Sequence, residues 1–221
     1  MPKDKLKRFA ENLTFPNFFQ PTIEEATQGF HMKGKWNKRF FGNDNPIVLE
    51  LGCGKGEYTV ALARKYPERN YIGIDRKGAR MWRGCKTSVE EELTNVAFIR
   101  TRIDLILNFF DKNEINEIWI TFPDPQPRMK QVKKRLTSPR FIERYKQILT
   151  PEGIIHLKTD NTELYDFTLS TIKKDGHHLL FQANDLYNSG FEGDAPEVQT
   201  FYENMFLKKG DSIKYIQFRL G

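Results

Sequence analysis

The sequence contains little cysteine and little histidine. Its 221 residues include two cysteines, Cys53 and Cys85, and four histidines, which lack metal-ligand spacing. A disulfide framework and a cysteine-based zinc site are therefore excluded, and we expect no bound metal. Apolar runs are also short: none approaches the ~20 residues of a membrane-spanning helix, and no apolar stretch follows the basic N-terminus. We predict a cytoplasmic protein that does not contact a membrane.

Acidic residues are fewer than basic ones. The 35 Lys and Arg exceed the 29 Asp and Glu, so the formal net charge is +6 and the pI is about 9.2. This excess suits a polyanionic partner, but many basic proteins bind nothing anionic, so the placement of the charges has to decide. The length and the apolar content of 38% are sufficient for one domain with small additions at its ends.

Three alternating glycines mark the first candidate site. The apolar run Ile47–Leu51 is followed by Gly52, Gly54 and Gly56, and a helical pattern begins at Glu57. The predicted order is strand, glycine turn, helix, which lets a ligand approach backbone that Cβ atoms would otherwise block. Doubly wound sheets bind their ligands at this point, beyond the carboxyl end of the first strand.

A carboxylate later in the chain indicates what this ligand carries. Asp75 ends a second apolar strand and lies about twenty residues past the turn, the spacing at which an acidic residue binds a ribose diol. The turn lacks the Gly-Lys-Ser/Thr ending of a P-loop and the G-x-G-x-x-G spacing of a dinucleotide fold. A pyrophosphate would be repelled by Glu50 and Glu57, whereas the cationic S-adenosylmethionine would not.

The stretch from Glu50 to Gly56, taken with Asp75, resembles the first two motifs of the Rossmann-like methyltransferases. The resemblance implies that the cofactor is S-adenosyl-L-methionine, bound by Glu50, Gly52, Gly54, Gly56 and Asp75. The alternative is a structural glycine turn in an α/β enzyme with another ligand.

Strand and helix patterns alternate along the rest of the chain. This alternation predicts an α/β fold with a Rossmann-like, doubly wound and mostly parallel sheet. Two final strands, 178–183 and 214–220, lack a full crossover helix between them and predict an antiparallel pair at the sheet edge. The other predicted strands are 47–51, 70–75, 96–100, 115–121 and 153–158.

Residues 1–45 show no clear period. They are basic and aromatic, and we expect an irregular N-terminal extension before a methyltransferase domain of residues 46–221. Thr22, with Glu25 three residues on, can cap one short helix. We expect most of the aromatic side chains to pack on the domain, and contact with RNA bases is the alternative.

A proline-rich loop follows the predicted strand 115–121. Pro123, Pro125 and Pro127 alternate there, and each biases the residue before it towards an extended conformation. Asp124 is thereby held at the carboxyl edge of the sheet, where a doubly wound fold has its site. We predict a functional carboxylate, and the alternative is a turn aspartate that bonds to its own backbone.

Six basic residues without an acidic one follow this loop. They adjoin the predicted pocket, where positive charge suits a phosphate backbone, so we favour nucleic acid over a solvated face. Phosphate contacts are predicted at Lys130, Lys133, Lys134 and Arg135, with Arg128 and Arg140 in the same run.

Four motifs together resemble the bacterial tRNA (guanine-N7-)-methyltransferase family. They are Phe122-Pro-Asp-Pro-Gln-Pro-Arg, Lys133-Lys-Arg-Leu136, Lys158-Thr-Asp160 and Thr200-Phe-Tyr-Glu203, and the resemblance covers about residues 45–221. It implies methyl transfer from S-adenosylmethionine to N7 of a guanine in the variable loop of tRNA. It also implies that Asp124 lies at the cofactor, and we expect Asp124 to act as the catalytic residue between cofactor and base.

The same resemblance implies which residues hold the substrate. The substrate positions are Arg128, Asp160, Thr200, Phe201, Tyr202 and Glu203. N7 of guanine carries a lone pair and no proton, so it attacks without a general base, and the protein positions and stabilises charge. We expect Asp160 and Glu203 to hold the base, because carboxylates accept from the N1–H and N2–H groups of guanine.

Three positions depart from the family pattern. Gln126 stands where the family usually has Trp, Arg128 where a Lys is common, and Arg102 where an Asp or Asn near the adenine is usual, with Asp104 two residues on. A backbone N–H at Arg102 could serve the adenine instead. The alternatives are a methyltransferase acting on another RNA, a protein or a small molecule, a non-enzymatic RNA-binding module, and a nicotinamide-dependent oxidoreductase.

Overall fold

The computed structural model describes residues 3–221, and Met1 and Pro2 of the predicted extension lie outside the described residues. Within this range the chain forms eight strands and eight α-helices. The strands are β1 (Phe18–Phe19), β2 (Ile47–Leu51), β3 (Asn70–Asp75), β4 (Val96–Arg100), β5 (Ile115–Thr121), β6 (Leu149–Thr159), β7 (His178–Ala183) and β8 (Lys214–Arg219). The helices are α1 (Lys3–Asn12), α2 (Ile23–Gly29), α3 (Glu57–Lys65), α4 (Gly78–Glu90), α5 (Pro139–Ile148), α6 (Thr162–Lys174), α7 (Asp194–Glu197) and α8 (Phe201–Lys208).

These eight strands form one sheet in the order β1-β4-β3-β2-β5-β6-β8-β7. Strands β1 to β6 run parallel, and β8 is antiparallel to both β6 and β7. All five residues of β2 are buried, because helices cover both faces of a doubly wound sheet. The predicted fold class, with its antiparallel C-terminal strands, is confirmed. The strand order reverses direction at β2 and β5, and ligands of such folds bind beyond the carboxyl ends of these strands.

Short helical turns complete the connections. Turns of the 3-10 type cover Ile103–Asn108, Met129–Lys134 and Leu186–Asn188, and a π-helical turn covers Asn37–Phe41. Among the described residues, none of the helices combines the length and the apolar character needed to cross a membrane.

The first 45 residues differ from the predicted irregular extension. Helix α1 packs on α4, and β1 adds a parallel strand beside β4. Helix α2 has the predicted capping box, in which Glu25 N donates to Thr22 Oγ1 at 3.1 Å and Thr22 N donates to Glu25 Oε2 at 2.7 Å. Strand β1 has only two residues and α1 is mostly charged, so neither shows the repeated hydrophobic pattern from which the other elements were predicted.

Aromatic side chains tie this segment to the core, as expected. Trp36 has no exposed surface, and its Nε1 donates to the carbonyl oxygen of Phe109 at 3.0 Å. The other buried aromatic side chains of the segment are Phe18, Phe30 and Phe41. A segment anchored in this way folds together with the sheet, because its removal would expose the apolar surface that it covers.

Helix α4 approaches the glycine turn closely. A Cβ atom placed on Gly84 would lie 2.8 Å from the carbonyl oxygen of Lys55 and 2.8 Å from Cζ of Phe98. A Cβ atom on Gly56 would lie 2.6 Å from Cε1 of Phe98. Real side chains do not tolerate such distances, so glycine at both positions lets α4, β4 and the turn pack without a gap.

Replacing Gly84 with alanine tests this packing. At an unobstructed helix position, this change stabilises a protein by roughly 0.5–1 kcal/mol. Here we expect a loss of roughly 1–3 kcal/mol in the free energy of unfolding, because the new methyl group meets the backbone of Lys55. Urea denaturation measures the change. Val89→Ala, at an exposed position of the same helix, is the control and should shift stability by less than about 0.5 kcal/mol. A stabilised Gly84→Ala protein would contradict the close approach.

Candidate active site

A cavity of about 690 Å³ lies beyond the carboxyl ends of β2, β3 and β5. The predicted site residues that line it are Glu50, Gly52, Gly54, Asp75, Asp124, Lys134, Thr200 and Tyr202. Within the described chain, the predicted site residues outside this lining are Gly56, Arg128, Lys130, Lys133, Arg135, Asp160, Phe201 and Glu203. The fold therefore joins the glycine turn and the proline loop in one site, although they are about seventy residues apart in the chain.

Gly52 and Gly54 form the part of the glycine turn that faces the cavity. Their φ angles are +82° and +57°, in the left-handed region that favours glycine. A Cβ atom on Gly52 would meet nothing within 4 Å, so the space in front of the turn is open. Gly56 has a different place, because the Phe98 ring occupies the position that its Cβ would take. The structure gives Gly56 a packing role where a cofactor contact was expected.

Asp75 connects the turn to the start of α4. Its Oδ2 accepts from Gly54 N at 3.0 Å, and its Oδ1 accepts from Lys77 N at 2.8 Å. Each carboxylate oxygen has more than one acceptor position, so both oxygens keep capacity for a ligand that donates. The side chain thus shapes the backbone of the cradle and presents a pair of acceptors to the cavity.

Glu50 places a carboxyl group at the floor of the cavity. It is 5% exposed, and its Oε2 accepts from the backbone N of Thr59 at 2.9 Å and from the Thr59 hydroxyl. Its Oε1 accepts from the hydroxyl of Thr121 at 2.7 Å. Burial raises the pKa of Glu50 to about 7, although hydrogen bonds from Thr121 and Thr59 act in the opposite direction. The group therefore changes its charge near neutral pH.

The proline loop has an unexpected backbone. Phe122 and Gln126 have φ angles of +47° and +48°, so the prediction that they are extended is wrong. Non-glycine residues rarely adopt this region, and the surroundings have to hold them there. Phe122 N donates to the carbonyl oxygen of Lys158 at 2.8 Å, and its ring stacks on Phe206 with centroids 5.7 Å apart. Neighbouring elements thus outweigh the local preference that the prolines impose.

Asp124 makes a local turn contact and also lines the cavity, so it fits both interpretations given for it: a turn aspartate and a functional carboxylate. Its Oδ1 accepts from Gln126 N at 3.1 Å, which is the local turn contact. The side chain is nevertheless exposed, and it lines the cavity. Within residues 3–221 its Oδ2 has no hydrogen-bonding partner. One oxygen therefore fixes the orientation of the carboxylate, and the other remains for a ligand.

Arg135, which was predicted to contact phosphate, is buried inside the protein. Its side chain is 3% exposed, and its Nε donates to the carbonyl oxygen of Pro125 at 2.9 Å. The guanidinium also pairs with Glu163 on α6. A cation buried in this way holds the proline loop from behind and is shielded from an RNA backbone. A basic residue in a run of basic residues gives no signal of such a role.

The other basic residues of the run take three different places. Lys134 and Arg140 line the main cavity. Lys130 and Lys133 line a second, more open cavity between the 3-10 turn Met129–Lys134 and α5, and Arg140 lines this one as well. Arg128 is exposed just before the 3-10 turn. The opposite wall of the main cavity carries cations that the sequence analysis did not select, namely Arg76, Lys77 and Arg80.

Arg102 neutralises an acidic neighbour at the cavity wall. Its Nε and Nη2 donate to Asp104 Oδ1 and Oδ2 at 3.0 Å and 2.6 Å. Burial acts to raise the pKa of Asp104, but the hydrogen bonds and the charge of Arg102 together lower this pKa below its ordinary value. Residues 101–104 line the cavity, so the predicted backbone contact at Arg102 stays a prediction.

Glu203 is buried, in contrast to the expected contact with the base. It has no exposed surface, and Tyr187 donates its hydroxyl to Oε1 at 2.8 Å. Lys158, also without exposed surface, donates its Nζ to Oε2 at 2.8 Å. Glu203 is in addition the N3 residue of a capping box with Thr200 at the start of α8. Its oxygens are thus committed inside the protein.

Lys158 is a residue whose role the sequence analysis missed. Besides Glu203, its Nζ donates to the carbonyl oxygens of Ala195 and Val198 at 2.6 Å and 3.1 Å. Burial lowers the pKa of Lys158, and the carboxylate of Glu203 opposes this effect. The sequence did contain a signal for this role, because Lys158 lies within an apolar strand. A lysine in such a strand is rarely buried without a partner.

Residues 200–203 begin the helix α8 beside the glycine turn. Phe201 N donates to Glu57 Oε2 at 2.9 Å, and Nζ of Lys55 lies 4.1 Å from the centroid of the Phe201 ring. Tyr202 is 40% exposed and lines the cavity. Asp160 follows the end of β6 and is half-buried, and its carboxylate has no partner among the described residues.

The chain is similar to known methyltransferases over most of its length. A family model described as a putative methyltransferase matches residues 44–216. The tRNA (guanine-N(7)-)-methyltransferase of Christiangramia forsetii is 54% identical over 99% of this chain and 98% of its own length. The protein of the same name from Bacteroides fragilis is 49% identical over 100% of this chain and 87% of its own length.

Solved structures share the fold at low identity. The 16S rRNA methyltransferase KamB superposes with a TM-score of 0.64 at 13% identity, over 83% of this chain and 92% of its own. A 16S rRNA (adenine(1408)-N(1))-methyltransferase from Catenulisporales acidiphilia, solved with its cosubstrate SAM, has a TM-score of 0.57 at 12% identity, over 85% and 90% of the two chains. Fold, site and sequence relationship agree, and the chain belongs to the tRNA (guanine-N(7)-)-methyltransferase family.

Proposed function

We propose that this protein transfers a methyl group from S-adenosyl-L-methionine to N7 of a guanine in the variable loop of tRNA. The observation that carries the proposal is the cavity in which a nucleoside-type cradle meets a carboxylate on a stiff proline loop. The relatives that match over nearly the whole chain bear the name of this activity. A tRNA substrate places the enzyme in the cytoplasm, with residues 46–221 as its catalytic domain and residues 1–45 as an addition to it.

The residues of the cradle fit this cofactor. Gly52 and Gly54 leave open the space that a Cβ would fill, so a ligand can reach the backbone there. The two oxygens of Asp75 can accept from the hydroxyl groups of a ribose. Glu50 supplies negative charge for a cationic ligand. When bound, S-adenosylmethionine supplies an electrophilic methyl group on a sulfonium.

The protein positions the base and stabilises charge, since N7 needs no deprotonation. Asp124 directs a free carboxylate oxygen into the cavity, where a positive charge develops on the methylated purine. Asp160 follows the end of β6, and its carboxylate has no partner among the described residues. This carboxylate accepts from the N1–H and N2–H edge of guanine. Thr200 and Tyr202 also line the cavity. Glu203 acts indirectly, because it holds the start of α8 from inside the protein.

Methyl transfer to unmodified tRNA tests the proposal directly. The protein is incubated with labelled S-adenosylmethionine and tRNA, and the modified base is then identified and mapped. We expect 7-methylguanine in the variable loop. Label in another RNA, a protein or a small molecule, and none in tRNA, would move the assignment to a different substrate while the methyltransferase family stands.

Asp124→Asn separates catalysis from cofactor binding in the same assay. Asparagine keeps an oxygen for the contact with Gln126 N, so the loop retains its turn while the charge is lost. We expect turnover to fall roughly 100-fold, as for the loss of one electrostatic stabiliser, with the Kd of the cofactor nearly unchanged. An equal loss of cofactor affinity and turnover would show that Asp124 serves only the cofactor.

The affinity for S-adenosylmethionine should depend on pH through Glu50. Its pKa of about 7 lies above the ordinary value of 4.5, so the side chain loses its charge as the pH falls through 7. The ionised fraction differs roughly 30-fold between about pH 5.5 and about pH 8, and the Kd should weaken by this factor towards acid. Calorimetric titration measures it. Glu50→Gln should bind weakly at both pH values, and a wild-type Kd independent of pH would refute the role.

The buried Lys158–Glu203 pair should hold residues 195–203 in place, and this segment contributes Thr200 and Tyr202 to the cavity lining. Lys158→Met leaves the carboxylate of Glu203 unpaired inside the protein and should cost about 3–5 kcal/mol of unfolding free energy. The double variant with Glu203→Gln removes this charge and should recover part of the stability. Its KM for tRNA should remain raised, because the tie to Ala195 and Val198 is lost. Urea denaturation and steady-state kinetics measure both, and a double variant with the wild-type KM would contradict the role.

A further inference from the structure

Helices α1 and α4 form one continuous surface beside the main cavity. Asn12 Nδ2 donates to the carbonyl oxygen of Gly78 at 3.0 Å, which ties the end of α1 to the start of α4. Glu11 then bridges the helices, because it accepts from Trp82 Nε1 at 2.7 Å and from Lys86 Nζ at 2.8 Å. These contacts fix α1 in place, so the side chains of both helices present a common face.

The two stretches of chain that include these helices carry the charge excess. Residues 3–12 include four basic and two acidic residues, and residues 76–90 include five basic and one acidic residue. Their combined excess equals the formal net charge of +6, so the remainder of the chain is balanced. The acidic Glu11 and Glu90 are engaged by Lys86 and Arg83 of α4. The positive charge is thus concentrated and only partly neutralised.

Six cations of this face make no ion pair with the described part of the chain. We call them the α1/α4 basic surface: Lys5, Lys7, Arg8, Arg76, Lys77 and Arg80. Five of them are exposed, and Arg8 is half-buried with its guanidinium 4.8 Å from the centroid of the Trp82 ring. Packing on an aromatic ring orients such a guanidinium and leaves its edge for an anion.

The surface reaches the main cavity from the side opposite the basic run. Arg76, Lys77 and Arg80 line the cavity wall after β3, and Lys134 and Arg140 line the wall after β5. Only β2 lies between β3 and β5, so the ends of these two strands are roughly 10 Å apart. Positive charge therefore borders the cavity mouth on both sides.

We propose that the α1/α4 basic surface binds tRNA phosphates, as a second contact region across the cavity from residues 128–140. The inference rests on the proposed function and extends it. An enzyme that modifies a base draws that base into a pocket and leaves the backbone outside, so phosphates lie on both sides of the cavity mouth. A single basic wall would hold only one flank. Contacts with phosphates fix position and orientation without reading sequence, which suits an enzyme that acts on a loop held in a folded RNA.

The test compares two variants that lose the same charge. Lys5→Gln, Lys7→Gln and Arg80→Gln together remove three exposed cations from the proposed surface. The control combines Lys112→Gln, Lys173→Gln and Lys174→Gln, which are exposed and lie at the amino edge of the sheet, before β5 and at the end of α6. The Kd for tRNA is measured for both variants and for the wild type between about 50 mM and about 200 mM salt. The thermal midpoint checks that each variant is folded.

Each lost phosphate contact should make the salt dependence less steep. For three contacts, the loss of tRNA affinity over this fourfold range of salt should shrink by roughly 20- to 40-fold relative to the wild type. The control should keep the wild-type salt dependence. The KM for tRNA should rise in the test variant and stay at the wild-type value in the control, because the three lost cations belong to the proposed contact region.

The outcomes separate this inference from the proposed function. If the wild type methylates tRNA and the test variant shows the same salt dependence as the control, the α1/α4 basic surface does not bind tRNA and the proposed function stands. If the wild type neither binds nor methylates tRNA, both proposals are overturned. A shallower salt dependence in the test variant alone supports the second contact region.

Discussion

Lys158 joins the carboxyl edge of the sheet to residues 195–203, the segment that contributes Thr200 and Tyr202 to the cavity lining. Its backbone oxygen accepts from Phe122 and so supports the proline loop, and its ammonium holds Glu203 and two carbonyl groups of the preceding segment. Transfer of these two charges out of water costs several kcal/mol each, and only a complete set of partners offsets that cost. The proline loop and the start of α8 therefore both depend on contacts with this one residue, the loop through its backbone oxygen and the helix through its side chain.

Much of the fold followed from pattern alone. The strands at 47–51, 70–75 and 115–121 are apolar runs bounded by turn residues, and local pattern is sufficient to place them. The capping box at Thr22 was also predictable, since both partners lie within four residues. The structure of the first 45 residues was not, because β1 is defined by its pairing with β4 and Trp36 by its contact with Phe109. Such long-range contacts leave no period in the sequence.

Site residues were predictable where their roles depend on neighbours in the sequence. They were not predictable where their roles depend on contacts with distant parts of the chain. Gly52, Gly54 and Asp75 were found because their spacing reflects one turn and one strand end. Gly56 belongs to the same motif, yet its role comes from Phe98, which is distant in sequence. Arg135 and Glu203 carry charges that suggested exposed roles, and both are buried against partners on other elements. A buried charged residue needs a partner of opposite charge, but the sequence alone does not show where in the chain that partner lies.

The position of β8 between β6 and β7 governs the order in which this edge of the sheet can assemble. Strand β7 precedes β8 in the chain, but its only ladder among the described residues is the one with β8. During synthesis, β7 therefore emerges before the strand that it will pair with, and β6 has an open edge for the same period. Exposed strand edges recruit other chains. The edges of β6 and β7 therefore stay unpaired until β8 has been synthesised. A ribosome that pauses between β7 and β8 prolongs the interval in which the nascent chain can aggregate.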